Sequence, residues 1–419
     1  MDASFYYSIR NPINDDNVLE EFVRIYHNLG NSNYYDALLK RSDSTLPSNS
    51  FSSSDRDVLY VGMFYHWRNS IINYYNNLDS NDLFRKKMTS TLIKHIADKT
   101  PRTYSDVMEI MKPQNSNSEL DRALLVFSFC NFDKNYWNFV ESKRLDVSIN
   151  GINNDSIKHR LYVNCDLSII HKLVYKFIKK CNENNLPYYF KYSNYDRDDT
   201  FVIYSDDENL DRYINILNTI IYEDGLHNNI NRPPLTTGLI NNYIGYGANP
   251  DSDKTTYNDK RSKVISNSIY TTTINTIREC LRFEVKDSSG EILSYNNYLI
   301  KKLVLHIKDR LKDNIDIEFS TFSNSVKESL YSDINKIFYN YSISVPYKNT
   351  FVDITYGDVY WLIRNQSMFL YKNVDSYKDR LRNEIRRESI SSDIDPDNFV
   401  FDNNSFFDKI DLSDKKNSK

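Results

Sequence analysis

Apolar side chains recur at helical spacing through the first 145 residues. Between residues 57 and 99 they form one stripe of Tyr60, Phe64, Trp67, Ile71 and Tyr74. This spacing keeps apolar side chains on one face of a helix, and residues 16–40 show a similar pattern. The serine-rich stretch 42–54 between the two predicts a loop. The pattern predicts a mostly helical N-terminal region, residues 1–145, with its aromatic stripe in a core.

The pattern changes to strict alternation after residue 158. Leu161 and Val163 fall on one face of a strand, whereas Arg160, Tyr162 and Asn164 fall on the other. Further periodic segments follow, namely a helix over 167–182, strands over 188–192 and 200–204, and a helix that opens at 206–208. The order strand, helix, strand, strand, helix predicts an α+β fold, with a mostly antiparallel sheet covered by helices on one face.

Turn-forming residues become frequent in the next part of the chain. Residues 231–261 contain many turn signals and predict a long irregular connection, a type of segment that often serves as a binding loop or lid. Downstream, the pattern predicts helices over 262–281, 298–312 and 325–339, strands over 351–356 and 359–363, a solvated helix over 375–388 and a frayed end over 411–419. No internal repeat is visible.

Composition limits the classes of function. The 419 residues include 57 acidic and 53 basic side chains, a net charge of -4, which argues against a general nucleic-acid binder. No run approaches the roughly 18 apolar residues of a membrane span, and the N-terminus lacks a secretory pattern. We therefore expect a cytoplasmic protein without nucleic-acid or membrane partners, although delivery into a host cell would leave no mark in the sequence. Four dispersed cysteines predict neither a metal site nor a disulfide framework.

Basic residues on the predicted strands are the candidate chemistry. Arg160 lies on a strand face with Tyr162 and Asn164, Lys191 lies on the next strand, and Arg197 lies at the turn that follows. Grouped together, these cations would suit a phosphate, which arginine binds in a bidentate manner and lysine binds as a point charge. The alternative is a half-solvated sheet on which the same side chains simply face water.

For several other residues the sequence predicts structural roles. His159 would point to the opposite sheet face and His171 would lie at the surface. Cys165 falls on the apolar face of the strand, and we expect it in the core. The acidic residues between 196 and 208 lack the glycine and glutamate of a calcium-binding loop and predict turns and helix caps.

Several short motifs, in this order, resemble the HopA effector family. They are the runs RLYVN at 160–164, LPYYFK at 186–191, RDD at 197–199 with VIY at 202–204, PLT at 234–236, the stretch 245–250 and DKR at 259–261. That family includes type III effectors of plant pathogens and proteins of lanthipeptide and thioamitide clusters. The resemblance implies a HopA-like α+β core over residues 155–282, between the helical region 1–145 and a mixed helical and β extension, residues 283–419.

The resemblance also implies a chemistry. HopA-type proteins look similar to phosphothreonine lyases, which convert phosphorylated Ser or Thr into dehydroamino acids. By that likeness Lys191 would be the general base, Tyr162 would stand where those lyases carry an acidic histidine, and Arg160, Arg197 and Arg261 would hold the phosphate. Asn164, Asp199 and Tyr204 would support them. The implied partners are a phosphorylated peptide or protein substrate and a separate kinase, with no cofactor.

Two other functions remain open at this stage. The fold could serve a non-catalytic effector or toxin-like interaction protein that binds a partner through its helical flanks. It could also serve as a peptide-binding subunit that acts only beside a separate kinase. Tyr162 in place of a histidine favours these alternatives, whereas the positions of the basic residues favour the lyase.

Overall fold

The computed structural model describes residues 8–29, 32–39, 53–113, 118–127, 137–146, 151–193, 195–249, 256–282 and 356–402, together with a few isolated positions. Its helices are α1 (Asp16–His27), α2 (Tyr34–Leu39), α3 (Ser53–Asn77), α4 (Leu83–Ile96), α5 (Tyr104–Met111), α6 (Glu119–Phe127), α7 (Ser142–Leu145), α8 (Ile170–Glu183), α9 (Leu210–Asn218), α10 (Tyr257–Arg282), α11 (Tyr356–Asn373) and α12 (Tyr377–Ser391). Its strands are β1 (Trp137–Glu141), β2 (His159–Cys165), β3 (Tyr189–Ser193), β4 (Phe201–Ser205), β5 (Ile230–Asn231), β6 (Gly238–Leu239) and β7 (Gly245–Ala248).

The strands form one antiparallel sheet in the order β1-β3-β4-β2-β7-β6, and β5 pairs with one end of β2. The α+β prediction is therefore confirmed. Strands β2, β3 and β4 lie within one residue of the predicted strands, and α8 lies where the helical spacing predicted a helix between the first two. The connection predicted as irregular over 231–261 instead contains β6, β7 and the end of β5, and its last residues begin α10.

One face of the sheet packs against helices and forms the core of the first compact unit. The ring of Phe177 on α8 contacts Phe190 at 5.6 Å and Phe201 at 5.5 Å. The N-terminal stripe joins this core, since Phe64 and Trp67 on α3 are fully buried within the same cluster. Burial of such aromatic rings contributes most to a core of this kind. The sheet is thus held rigidly from behind, which leaves its other face to carry a site.

The sequence of α8 explains why it forms a helix with one buried side. Apolar residues recur every three or four positions, and Ile170, Val174, Phe177 and Cys181 are all buried. His171 lies on this buried side as well, and its side chain is 3 % exposed. The predicted surface position of His171 was therefore wrong, because the rings of Tyr60 and Tyr192 cover the imidazole.

The first unit comprises described residues within 1–12, 35–261 and 393–419, and a second unit comprises those within 13–34 and 262–392. In the second unit α1 packs against α11, and the Tyr371 hydroxyl donates to the backbone oxygen of Asp16 at 3.0 Å. The strand predicted over 359–363 was wrong, since these residues belong to α11. Short apolar runs do not distinguish strands from buried helices.

Some predictions fall outside the described residues, notably all but the last residue of the strand over 351–356, the frayed end over 411–419 and nearly all of the helices over 298–312 and 325–339. The last residue of that strand, Tyr356, begins α11. The region boundaries at 145 and 282 remain predictions. The charged segment 375–388 forms most of α12, with Leu381 and Ile385 buried on one side. Within the described helices, none is long and apolar enough to cross a bilayer.

Candidate functional site

The face of the sheet opposite α8 carries two rows of side chains. The cross-strand register places Lys191, Val202 and Tyr162 in one row, on β3, β4 and β2. The adjacent row contains Tyr189, Tyr204 and Arg160 on the same three strands. Residues directly opposite in an antiparallel pair share a face, so the six side chains form one surface, which we call the platform.

Lys191 lies at the centre of the charged groups. Its Nζ is 4.1 Å from the centroid of the Trp137 ring and 5.8 Å from that of Phe139. Burial lowers the pKa of Lys191 to about 8, with Asp199 acting in the opposite direction and with Arg160 and Arg197 lowering it further. Among the described residues the amine has no hydrogen-bond or salt-bridge partner. It therefore has the properties of a lysine that can act as a base near neutral pH.

Arg160 is positioned by its neighbours on the platform. Its Nε donates to Oδ1 of Asn249 at 2.8 Å, and its guanidinium lies over the ring of Tyr204, 5.1 Å from the centroid. Tyr204 in turn stacks on Tyr189 at 4.7 Å. A guanidinium that is held in this way loses little entropy when it binds an anion.

Tyr162 is a buried member of the platform. Its side chain is 2 % exposed and packs on the ring of Tyr257, with the centroids 5.7 Å apart. Burial raises the pKa of Tyr162 well above its ordinary value, although Arg160 acts in the opposite direction. The phenol therefore stays protonated at neutral pH and can donate a hydrogen bond, but it is a poor proton donor.

Tyr257 reaches this position because β7 has a glycine beneath it. A Cβ atom on Gly247 would lie 2.6 Å from Cζ of Tyr257, which is closer than real contacts allow. Gly247 is opposite Arg160 in the register of β2 and β7. The Gly-Tyr-Gly sequence of β7 thus makes room for an aromatic ring beside the platform.

Arg197 and Asp199 form a buried pair at the turn between β3 and β4. Arg197 Nε donates to Oδ1 of Asp199 at 2.8 Å, and Nη2 donates to the Tyr35 hydroxyl at 3.4 Å. Asp199 also accepts from Asn258 at 3.3 Å. The Arg197 guanidinium lies 5.2 Å from the centroid of Trp137. Arg197 is therefore near Lys191, but its charge is partly neutralised.

The two remaining predicted residues are bound to backbone. Asn164 donates to the carbonyl oxygen of Arg232 at 2.7 Å and to Asp198 at 3.2 Å. Arg261 is fully buried and donates to Oδ1 of Asp402 at 3.0 Å, as well as to the carbonyl oxygens of residues 399 and 400. Its guanidinium stacks 3.7 Å from the centroid of Tyr257. The structure thus brings Arg160, Lys191, Arg197 and Tyr162 together, and it joins Arg261 to them only through Tyr257.

The sequence reasoning missed Trp137, Asn249 and Tyr257. Trp137 begins the run WNFVE, in which Trp137, Phe139 and Glu141 alternate with Asn138 and Val140. That alternation indicates a strand but is too short to distinguish from the helical pattern before it. Its neighbour β3 is distant in sequence, so only the fold reveals the contact with Lys191.

His159 has the structural role that the sequence predicts. It points to the other sheet face, where Nδ1 hydrogen-bonds to the Tyr246 hydroxyl at 2.8 Å and Nε2 to Asp207 at 2.9 Å. Cys165 is buried in the core, as predicted. In the described ranges, no group of three His, Cys, Asp or Glu side chains is arranged to hold a metal ion.

A cavity of about 730 Å³ lies at the other end of β2, lined in part by Lys158, Asp206 and Asp207. Three of its charged groups are already engaged, since Asp207 pairs with Lys158 and Asp206 accepts from the backbone and side chain of Asn209. The platform therefore offers the better candidate for chemistry.

Both the platform strands β2 to β4 and the lining of this cavity lie in a segment that matches a known family. Residues 145–290 match the HopA1 effector protein family. No curated protein matches the chain. The HopA1-like segment contains β2 to β7, and hence Arg160, Lys191 and Tyr162, and it confirms the resemblance seen in the motifs. Strand β1 with Trp137 lies outside it.

Proposed function

We propose that this protein is a carbon-oxygen lyase that removes phosphate from phosphorylated Ser or Thr in a peptide or protein. The observation that carries the proposal is the amine of Lys191, whose burial lowers its pKa to about 8 although Asp199 acts against this effect; Arg160 and Arg197 lower the pKa further. The removal of a weakly acidic Cα proton requires a neutral amine. A pKa of about 8 leaves roughly a tenth of the amine neutral at pH 7, far more than an ordinary lysine has, and the fraction rises with pH.

The proposed reaction is a β-elimination. Nζ of Lys191 takes the Cα proton, the C–H electron pair forms a Cα=Cβ double bond, and the Cβ–O bond breaks. Phosphate leaves with the electrons of that bond, and the lysine then returns its proton to solvent. The products are inorganic phosphate and dehydroalanine or dehydrobutyrine.

The leaving phosphate needs stabilisation of its negative charge. In our proposal Arg160 supplies most of it, because its guanidinium is oriented by Asn249 and carries no salt bridge among the described residues. Arg197 contributes less, because Asp199 already neutralises it. Tyr162 donates a hydrogen bond to the phosphate rather than a proton, so departure depends on electrostatic stabilisation. Arg261 supports Tyr257 in this scheme.

The test is incubation with a phosphothreonine peptide followed by mass spectrometry. We expect loss of the elements of phosphoric acid and a product that adds thiols, which a dehydroamino acid does and a threonine does not. Lys191→Ala should reduce the rate by roughly 10² to 10⁴-fold, as expected for a general base, and the exposed Lys172→Ala is the matched control. Release of phosphate with formation of threonine, or full activity in Lys191→Ala, would refute the proposal.

A second candidate is a non-catalytic interaction protein with the same fold. The observation in its favour is that two of the three predicted phosphate ligands are engaged by carboxylates, Arg197 by Asp199 and Arg261 by Asp402. Under this alternative, Lys191→Ala and Arg160→Ala leave the biological effect intact. Surface substitutions on the helices outside residues 145–290 abolish it instead.

A further inference from the structure

The cavity of about 730 Å³ continues the platform by one further row. Three residues of its lining lie two positions along the chain from the platform residues of β3, β4 and β2, namely Pro187, Asp206 and Lys158. Residues two positions apart in a strand share a face, and the ladder extends past β2, because the Lys158 N–H donates to the Ser205 oxygen at 3.0 Å. The cavity row therefore lies about 7 Å beyond the row that contains Arg160.

One side chain connects the wall of the cavity with the guanidinium of Arg160. Asn249 accepts from Nε of Arg160 at 2.8 Å, and its Nδ2 donates to the carbonyl oxygen of Ile157 at 3.1 Å. Its own N–H donates to the Lys158 oxygen at 2.8 Å. The segment that precedes β2, which lines the cavity, is thus held against the same residue that orients Arg160 on the platform.

The described lining of the cavity carries net negative charge, whereas the platform carries cations. Asp207 is neutralised by Lys158. Asp206 accepts from Asn209, whose groups are neutral, so its negative charge is retained. Glu208 is exposed and makes no ion pair within the described residues. Two carboxylates are therefore left to attract a positively charged group.

The shape and the apolar part of the lining suit a long basic side chain. Ile152 and Pro187 line the cavity together with the carboxylates. Arginine and lysine place their methylene stems on apolar surface and keep the charged head at a polar site, and the guanidinium of arginine matches a carboxylate in a bidentate manner. The volume lies within the roughly 300–1,000 Å³ of pockets that enclose drug-sized ligands, which is enough for such a side chain with its main chain.

The separation of the rows sets the spacing along a bound peptide. Lys191 and Arg160 occupy adjacent rows of the platform, so a phosphorylated residue between them lies about 10 Å from the cavity row. An extended chain advances about 3.3 Å per residue, and three residues therefore cover this distance. The peptide runs along the strands over the platform face, which leaves its phosphorylated residue above both Lys191 and Arg160.

We propose that the cavity is a specificity pocket for a basic residue, arginine or lysine, located about three positions from the phosphorylated residue of the substrate. This inference rests on the proposed function for the phosphorylated residue on the platform. The opposite charges of the two sites fix the register, because a phosphate in the cavity would face two carboxylates and a basic residue on the platform would face its cations.

The first test is a positional scan with the full chain. The probes are peptides of alanine and serine around a central phosphonate analogue of phosphothreonine, in which CH₂ replaces the bridging oxygen so that elimination is blocked. A single arginine replaces alanine or serine in turn at each of the four positions on either side. We expect arginine to increase the affinity roughly tenfold at one position, two to four residues from the phosphonate.

Three results of the scan would overturn the inference. One is equal affinity for arginine at every position, and another is absence of binding by all of the peptides. The third is equally tight binding of the best arginine peptide when alanine replaces the phosphonate residue, since that would indicate a site for cations unconnected with the platform.

The second test reverses a charge in the cavity. Glu208 is exposed, so the fold should tolerate Glu208→Lys. We expect this variant to shift the affinity ratio of the arginine peptide to the corresponding glutamate peptide by roughly tenfold or more in favour of glutamate. Glu223→Lys is the matched control, because Glu223 is also exposed but does not line the cavity. An unchanged ratio in Glu208→Lys would refute the pocket, and better binding of the glutamate peptide cannot result from loss of folding.

The outcomes separate the two proposals. A preference for arginine at one position, without elimination from the natural phosphothreonine peptide, retains the pocket and refutes the lyase. Elimination at a rate that is independent of the position of arginine retains the lyase and refutes the pocket.

Discussion

The amine of Lys191 lies 4.1 Å from the centre of the Trp137 indole ring. Burial of the amine and its contact with the indole have opposite effects on the pKa of Lys191. Burial favours the neutral amine, whereas the negative face of the indole favours the ammonium ion. Trp137 therefore moderates the basicity of the residue on which the proposed chemistry depends, although it lies outside the HopA1-like segment.

Replacement of the indole should make Lys191 less basic. We expect Trp137→Leu to lower the pKa of Lys191 by roughly 0.4–1.5 units, since a cation–π contact is worth about 0.5–2 kcal/mol. The measurement is the pH dependence of elimination. Phe139→Leu should lower the pKa by less, because its ring centroid is 5.8 Å from the amine rather than 4.1 Å. An unchanged profile would mean that the indole contact has no effect on the base.

The rate of elimination should rise with pH. Because the neutral amine is the active form, the rate of the wild-type protein should reach half of its maximum near pH 8, the pKa of Lys191. Lys191→Arg should show no such rise, since a guanidinium stays protonated. A rate that falls between pH 7 and pH 9 would exclude Lys191 as the base.

Stability should also rise with pH because of the same group. At pH 7 Lys191 is protonated in both states, and burial of its charge opposes folding. Between about pH 8 and about pH 10.4 the folded form has released the proton and the unfolded form has not, so stability rises with pH. We expect Lys191→Met to increase the free energy of unfolding by about 1–2 kcal/mol at pH 7, with the gain vanishing above about pH 10.5.

The control for this measurement is Lys172→Met on the exposed side of α8. It should produce no gain that depends on pH. Urea unfolding at several pH values measures both variants. A gain for Lys191→Met that is constant from pH 7 to pH 11 would indicate a packing effect rather than a buried charge.

Gly247 should tolerate no side chain. Gly247→Ala places a Cβ atom 2.6 Å from Cζ of Tyr257, so the ring must shift, and such overpacking costs about 1–3 kcal/mol. Gly62→Ala is the matched control, because a Cβ atom on Gly62 in α3 meets nothing within 4 Å, and alanine favours a helix by about 0.5–1 kcal/mol. Equal melting temperatures for the two variants would contradict the described contact.

We expect Arg261 to stabilise the fold rather than to bind phosphate. Arg261→Met leaves the buried Asp402 carboxylate without its principal partner, and disruption of such a pair costs about 3–5 kcal/mol. The double variant Arg261→Met with Asp402→Leu should recover much of this loss. Arg160→Met should instead reduce phosphopeptide binding with a small effect on the melting temperature. A stable Arg261→Met variant that loses only phosphate binding would establish a direct contact instead.

Part of the platform could be predicted from the sequence. The period-two pattern of 159–164 was sufficient to place Arg160 and Tyr162 on one face, and the helical period placed α8 behind the sheet. The pairing of Arg261 with Asp402 could not be predicted in this way, because the two residues are far apart in the chain and no local pattern links them. The same is true of Trp137, whose position depends on the register between β1 and β3.

The burial of His171 shows a different limit of prediction from the sequence. Helical periodicity identifies the centre of an apolar stripe, but the width of the buried face depends on what packs against it. Here α3 contributes Tyr60, whose hydroxyl bonds to that of Tyr192, and together they cover the imidazole. The strand predicted over 359–363 failed for a related reason, since a buried helix can also present a short continuous apolar run.

The boundary of the HopA1-like segment falls between β1 and the strands that carry Lys191 and Arg160. The aromatic rings that lie against the Lys191 amine, Trp137 and Phe139, therefore come from outside the matched segment. Similarity over residues 145–290 alone does not carry over the environment of the amine, so a comparison of basicity between related proteins must include the sequence just before residue 145.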